Sequence, residues 1–413
     1  MNLRFLTGAA AVALTAALAP VSPASAQQAA PAPADQAAAP TSNAMTMPAM
    51  GPSITANPNP YSIDLGPLLG KTYVTGALTG LGFVQNNTVP GAGTPPGRDS
   101  SADLSNGMAA IQKTDGLVQY FLQAGVYSLP VVGVPYTDAS HTMNNTFGPL
   151  PLAYLKIAPM DNFSIQAGKL PTLIGQELPF TYENINIQRG LLWNQENLVN
   201  RGVQLNYTAG PLTFSASWND GFYTNRYSYF TGLVSWAATS ADTLTVAGGG
   251  NVRKVNTSAG ALANEQQVDV SYTHSDGPWM INPYFQYTHV PSLPSAGVTT
   301  DGSTYGFALL VNYTFDPAMS LGGFSLGGFS LPARIEYLAS NGSTATGPNL
   351  LGYGAGSKAW EITVTPTYQY KIFFARPELS YISASNVTTG AGFGSTGSNK
   401  DQFRALFEAG FVF

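Results

Sequence analysis

Apolar side chains recur at every second position over most of the chain. At its end, Phe403, Ala405, Phe407, Ala409, Phe411 and Phe413 hold one phase and Arg404, Glu408 and Gly410 the other. A strand turns successive side chains to opposite faces, so this segment carries a stripe of rings and methyls on one side only. The same period runs through Val118, Tyr120, Leu122, Ala124 and Val126 against Gln119, Gln123 and Gly125. It recurs in Val203, Leu205 and Tyr207 against Gln204 and Asn206, and in Phe214, Ala216 and Trp218 against Ser215, Ser217 and Asn219. In Tyr305, Phe307, Leu309, Val311 and Tyr313 the phase holds against Gly306, Ala308 and Asn312, with Leu310 on the wrong face. The pattern predicts about sixteen strands. The number falls to 14 if the weakly patterned 103–112 and the Gly-Gly-Phe-Ser-Leu repeats in 320–331 are not strands. Between strands, 86–102, 128–149, 221–227, 253–264, 290–302, 339–357 and 385–400 are rich in Gly, Asn, Ser, Thr and Pro and read as long loops.

Alternation alone also fits a soluble sandwich. Three details point instead to an all-β, antiparallel, up-and-down transmembrane barrel. The polar faces carry small uncharged residues, as a wet lumen requires. Aromatics stand at strand ends (Tyr73, Tyr127, Tyr207, Trp218, Trp279, Tyr287, Tyr313, Trp360, Tyr370), where girdles meet lipid head groups. No helical pattern is left to cover a sheet edge, and unpaired edge amides in a bilayer cost several kcal/mol each, so the sheet must close. Composition agrees. Charged residues make up 9 % of the chain, against about 25 % in soluble proteins. No mature segment approaches the roughly 20 apolar residues of a membrane-spanning helix.

The amino terminus predicts export. Arg4 precedes an apolar stretch over 5–19, Pro20 and Pro23 break it, and Ala24-Ser25-Ala26 places cleavage after Ala26. Loss of residues 1–26 removes one cation and leaves a net charge of −6, which disfavours nucleic acid as a partner. Residues 27–65, rich in Ala and Pro, read as a disordered periplasmic tether, with the barrel over 70–413. Cysteine is absent, which excludes disulfides, thiolate metal sites and a Cys nucleophile. The expected location is the bacterial outer membrane, with outer-membrane lipid as a partner.

The charges that do fall in strands keep one phase. Arg334 and Glu336 oppose Ile335; Arg376 and Glu378 oppose Pro377; Arg404 and Glu408 oppose the Phe stripe; Glu361 and Asp269 also lie on polar faces. A cation on the lipid side at mid-depth costs about 2–4 kcal/mol, so the phase sends these eight side chains to the lumen. There they either knit the wall together or sort solutes by charge. Residues 171–199 do not alternate, and they hold Glu177, Glu183, Arg189 and Glu196 with Tyr182 and Trp193. The stretch is too long for a hairpin and is the candidate constriction loop, folded inward or laid over the rim.

The runs Ala167-Gly168-Lys169-Leu170, Gly175-Gln176-Glu177, Asn184 with Asn186, and Arg201-Gly202-Val203 resemble the OmpL-like β-barrel porin-2 family. Arg376-Pro377-Glu378-Leu379-Ser380-Tyr381 and the lead-in Asn399-Lys400-Asp401-Gln402 look like the same family, and the resemblance covers roughly 70–413. It implies an outer-membrane porin of Gram-negative bacteria, open to homo-oligomers by analogy. It brings no set of solute-binding residues with it. Phe413 resembles the terminal signal read by the barrel-assembly machinery, a further partner.

Catalytic signals are weak. His141, His274 and His289 are scattered without a metal-ligand pattern. His274-Ser275-Asp276 sets triad residue types side by side, whereas a triad converges from separate elements. Gly352-Tyr353-Gly354-Ala355-Gly356 lacks the following helix of a phosphate cradle. The sequence therefore predicts no enzyme, cofactor or metal. It predicts passive diffusion of small hydrophilic solutes or ions, with selectivity from lumen charges and the loop. The alternative is a non-conducting structural or adhesive barrel that binds a partner through its loops.

Overall fold

The computed structural model describes residues 53–413 apart from 90, 95, 257–260 and 343–346. The predicted leader and residues 27–52 lie outside the described residues. After a short β1 (Tyr61–Asp64) come β2 (Lys71–Gln85), β3 (Ser100–Lys113), β4 (Val118–Tyr127), β5 (Leu152–Met160) and β6 (Phe163–Pro171). The wall continues through β7 (Val199–Ala209), β8 (Leu212–Asn219), β9 (Tyr229–Ala237), β10 (Asp242–Asn251), β11 (Gln266–Asp276), β12 (Trp279–Val290) and β13 (Gly302–Thr314). A two-stranded hairpin, β14 (Ser320–Leu321) and β15 (Phe324–Ser325), stands apart. Then follow β16 (Phe329–Ser340), β17 (Lys358–Val364), β18 (Thr367–Tyr370), β19 (Phe373–Ser385) and β20 (Asp401–Val412).

Each wall strand pairs antiparallel with the next, and β20 returns to β2 from Ala77↔Val412 to Gln85↔Arg404. The result is a closed 16-stranded antiparallel barrel. Two assigned strands, β17 and β18, share one place in it: both bridge β16 to β19, and Pro366, which has no amide proton, separates them. The uncertain stretches resolve cleanly. Residues 103–112 lie inside β3, and 320–331 supplies the β14–β15 hairpin and the start of β16.

Closure sorts the two phases. Phe407 is 53 % exposed on the outer face and its neighbour Glu408 is fully buried inside. Long connections such as 128–151, 172–198 and 341–357 gather at one end. Tight turns such as 161–162, 210–211 and 277–278 gather at the other. Gly277 takes φ +54 there, a conformation that favours glycine. Two girdle expectations fail: Tyr73 and Tyr127 are buried, and the Tyr127 hydroxyl donates to the Gly148 carbonyl at 3.1 Å. Both sit on inward phases: loop 128–151 partners Tyr127, and Tyr73, at the other end of its strand, lies under the Lys71 ammonium, 5.1 Å from its ring centroid. The described end of the supposed tether is ordered. Ile54 is buried in a cluster with Ala77, Phe374 and Val412, Thr55 exchanges hydrogen bonds with Gln369, and β1 pairs with the turn end of β2.

Candidate functional site

The connection between β6 and β7 turns into the barrel. Short 3-10 turns at Thr181–Glu183 and Trp193–Gln195 fold it compactly, and Phe180, Ile185, Ile187 and Leu192 on it are almost completely buried. Its apolar side docks on an apolar patch of inner wall. Leu191 and Leu192 pack with Met280, Tyr284, Leu310 and Leu338. Leu310, out of phase with its strand, is thus an inward residue covered by the loop rather than by water.

The wall charges receive the loop's polar side. Arg376 pairs with Glu408, Nη2 to Oε2 at 2.7 Å, and donates to the carbonyls of Asn184 at 2.9 Å and Thr181 at 2.8 Å. The Thr181 hydroxyl donates to Glu408 at 2.5 Å. Arg334 meets Glu361 at 2.8 Å, Glu177 of the loop at 2.5 Å and the Gln188 carbonyl at 2.7 Å. Glu378 accepts from the amides of Ile187 and Gln188, and Glu336 from those of Leu191 and Leu192. Arg404 donates to the side chains of Gln85 and Gln188 and to the carbonyls of Val131 and Val134. Asp269 accepts from the Gly175 amide at 3.1 Å, and Tyr284 donates to Glu196 at 2.8 Å.

The other loop charges are enclosed. Burial pushes the Glu183 carboxyl up to about 8, against the pull of the Phe180 amide and the Arg189 charge. Burial draws Arg189 down to about 10, and the fields of Glu177, Glu408 and Glu378 oppose it. Its guanidinium lies over the Trp193 ring, 5.4 Å from the centroid. The structure brings the candidates into two groups. Around Arg334, Arg376 and Arg404 the charges are tied to the loop; Glu196 and Asp269 form an acidic side.

Sequence reasoning missed Glu265, fully buried beside that acidic side, with neither carboxylate oxygen hydrogen-bonded among the described residues. Its parity with Gln267 and Asp269 was the available signal. It also missed Lys156. On the inner wall away from the loop, Lys156, Asn206, Ser215, Ser235 and Thr245 keep partial exposure. Among the described residues no group of three His, Cys, Asp or Glu side chains is arranged for a metal ion.

The family model described as Putative beta-barrel porin-2, OmpL-like, matches residues 71–413. Solved structures with the same fold include the anion-selective porin from Comamonas acidovorans, 10 % identical with TM-score 0.57, over 83 % of this chain and 99 % of that one. The outer membrane channel DcaP of Acinetobacter baumannii is 11 % identical with TM-score 0.54, over 83 % and 97 %. OmpT of Vibrio cholerae in a trimer form is 10 % identical with TM-score 0.51, over 83 % and 99 %. A comparison with proteins of curated function returns no match.

Proposed function

The chain belongs to the OmpL-like β-barrel porin-2 family and is a porin of the bacterial outer membrane, and on that premise we propose that it passes small hydrophilic solutes with a preference for cations. The observation that carries this reading is the charge of the interior. Nine carboxyl groups are buried there (Glu177, Glu183, Glu196, Glu265, Asp269, Glu336, Glu361, Glu378 and Glu408) against four guanidiniums (Arg189, Arg334, Arg376 and Arg404), with the Lys156 ammonium on the partly exposed wall. Arg334 and Arg376 pair with carboxylates, Arg404 is held by amide and carbonyl oxygens, and Arg189 keeps two donors without a partner; among the described residues Glu196, Glu265 and Asp269 face no guanidinium in bonding range. Where carboxylates border a water-filled pore they favour cations over anions. The solute path runs beside β5–β10, where the inner wall keeps partial exposure, and the inward loop narrows it from the opposite side. The protein acts as a channel rather than as an enzyme. Likeness to the OmpT trimer supports a homo-oligomer, and cross-linking in detergent tests that.

Planar bilayers decide the matter. Discrete conductance steps and a reversal potential of cation sign in a KCl gradient are expected; anion-signed potentials overturn the preference. A sealed barrel that binds a partner is the second reading, favoured by the apolar seal of Leu191 and Leu192 against the wall. Silence at high protein load, with the fold intact, selects it.

A further inference from the structure

Two of the motifs that carry the family resemblance have no part in the pore. Lys169 and Arg201 are direct partners across the β6–β7 ladder. They share the phase of Ile165, Val203 and Leu205, all exposed on the outer wall. They therefore break the rule that strand charges face the lumen. Both lie at the long-loop ends of their strands.

A strained loop organises the pair. The Asp220 carboxylate, fully buried, accepts from the Arg201 amide at 2.8 Å, from Arg201 Nε at 2.8 Å and from the Asn225 amide at 3.0 Å. Between Asp220 and Asn225 the backbone runs left-handed at Phe222 (φ +50) and Tyr223 (φ +56), where side chains other than glycine's are rarely found. Such strain persists only when its surroundings enforce it, and it clusters at ligand sites. Here it holds the Tyr223 ring against both cations, 3.9 Å from Arg201 and 5.5 Å from Lys169. Lys169 Nζ donates to the carbonyls of Phe147 and Leu150. An ammonium has three protons, so one remains to give. Arg201 Nη1 bonds to no group among the described residues. With Asp220 counted, the cluster keeps one net positive charge. It opens on a groove of about 520 Å³ walled by Leu150, Ala153, Val203, Trp218 and Tyr227.

We propose that this groove binds a phosphorylated lipid of the outer leaflet, its phosphate on Lys169 and Arg201 and an acyl chain along Val203 and Trp218. Charge-assisted bonds from ammonium and guanidinium to phosphate are short and strong, and cations at the membrane surface draw anionic lipid. A free anion would use the same donors but leave the apolar wall in contact with nothing it favours.

The test titrates the full-length protein, purified in mild detergent, under native mass spectrometry. The probes are lipid A, phosphatidylcholine and inorganic phosphate. Lipid A is expected to bind roughly tenfold tighter than phosphatidylcholine and to resist excess phosphate. The double substitution Lys169→Gln/Arg201→Gln is expected to lose roughly that tenfold, with bilayer conductance and heat-modifiable gel mobility unchanged. Lys169→Arg, which keeps the charge, is expected to retain binding. Undiminished lipid A binding by the folded double variant overturns the proposal. So does equal retention of phosphatidylcholine, displacement by inorganic phosphate (a free-anion site), or a changed oligomer mass in the variant (a groove filled by a second copy).

Discussion

At position 190 only hydrogen fits. A Cβ there would lie 2.2 Å from a carboxylate oxygen of Glu336, because the wall carboxylate reaches under the loop to take the amides that follow. Gly190→Val is therefore expected to lift the loop off the wall and raise single-channel conductance by roughly twofold, read in planar bilayers. The pair Arg376–Glu408 is buried on both sides. Arg376→Ala would strand the Glu408 charge and two loop carbonyls, at a cost of about 3–5 kcal/mol, seen as a lowered urea midpoint in detergent. Glu183 titrates through about 8 inside the loop. Its carboxyl is neutral below that pH and charged above it, so cation preference should rise as pH passes through that value. Glu183→Gln should flatten the rise in reversal potential.

The inward loop is an element with two sides, one greasy and one polar, and each has its own receiver on the wall. Strand alternation cannot produce that arrangement, which is why 171–199 stood out as the unpatterned stretch. Replacing residues 176–195 by a short Gly-Ser link should leave the barrel closed, since its ladders run through β6 and β7 and not through the loop. Conductance should rise by more than for any single substitution, and the apolar patch at Leu310 and Leu338 would become wet. At the opposite end, Ile54 is buried against Phe374 and Val412. That contact makes the described residues before β1 part of the barrel's mouth.

For the whole molecule, the decisive event is the return of β20 to β2, which pairs the last open edge. In lipid each unpaired amide would cost several kcal/mol, so closure follows once alternation has made one face apolar. Closure also turns sequence parity into a radial coordinate. Arg334, Glu336, Arg376 and Glu378 face inward for this reason alone. The same parity held at Tyr73 and Tyr127, whose phase points inside; what failed there was the girdle placement by residue type.

Alternation, low charge and aromatic content were enough to specify an outer-membrane barrel of about sixteen strands, because burial by lipid acts on each residue separately and leaves its mark at every second position. The partners of the inward charges, the seat of the loop and the meeting of Lys169 with Arg201 were not readable that way. Thr181 and Glu408 are 227 residues apart in the chain, and nothing in a period of two records a contact made across the lumen. Those contacts exist only once the cylinder has set its diameter and brought distant strands to face one another.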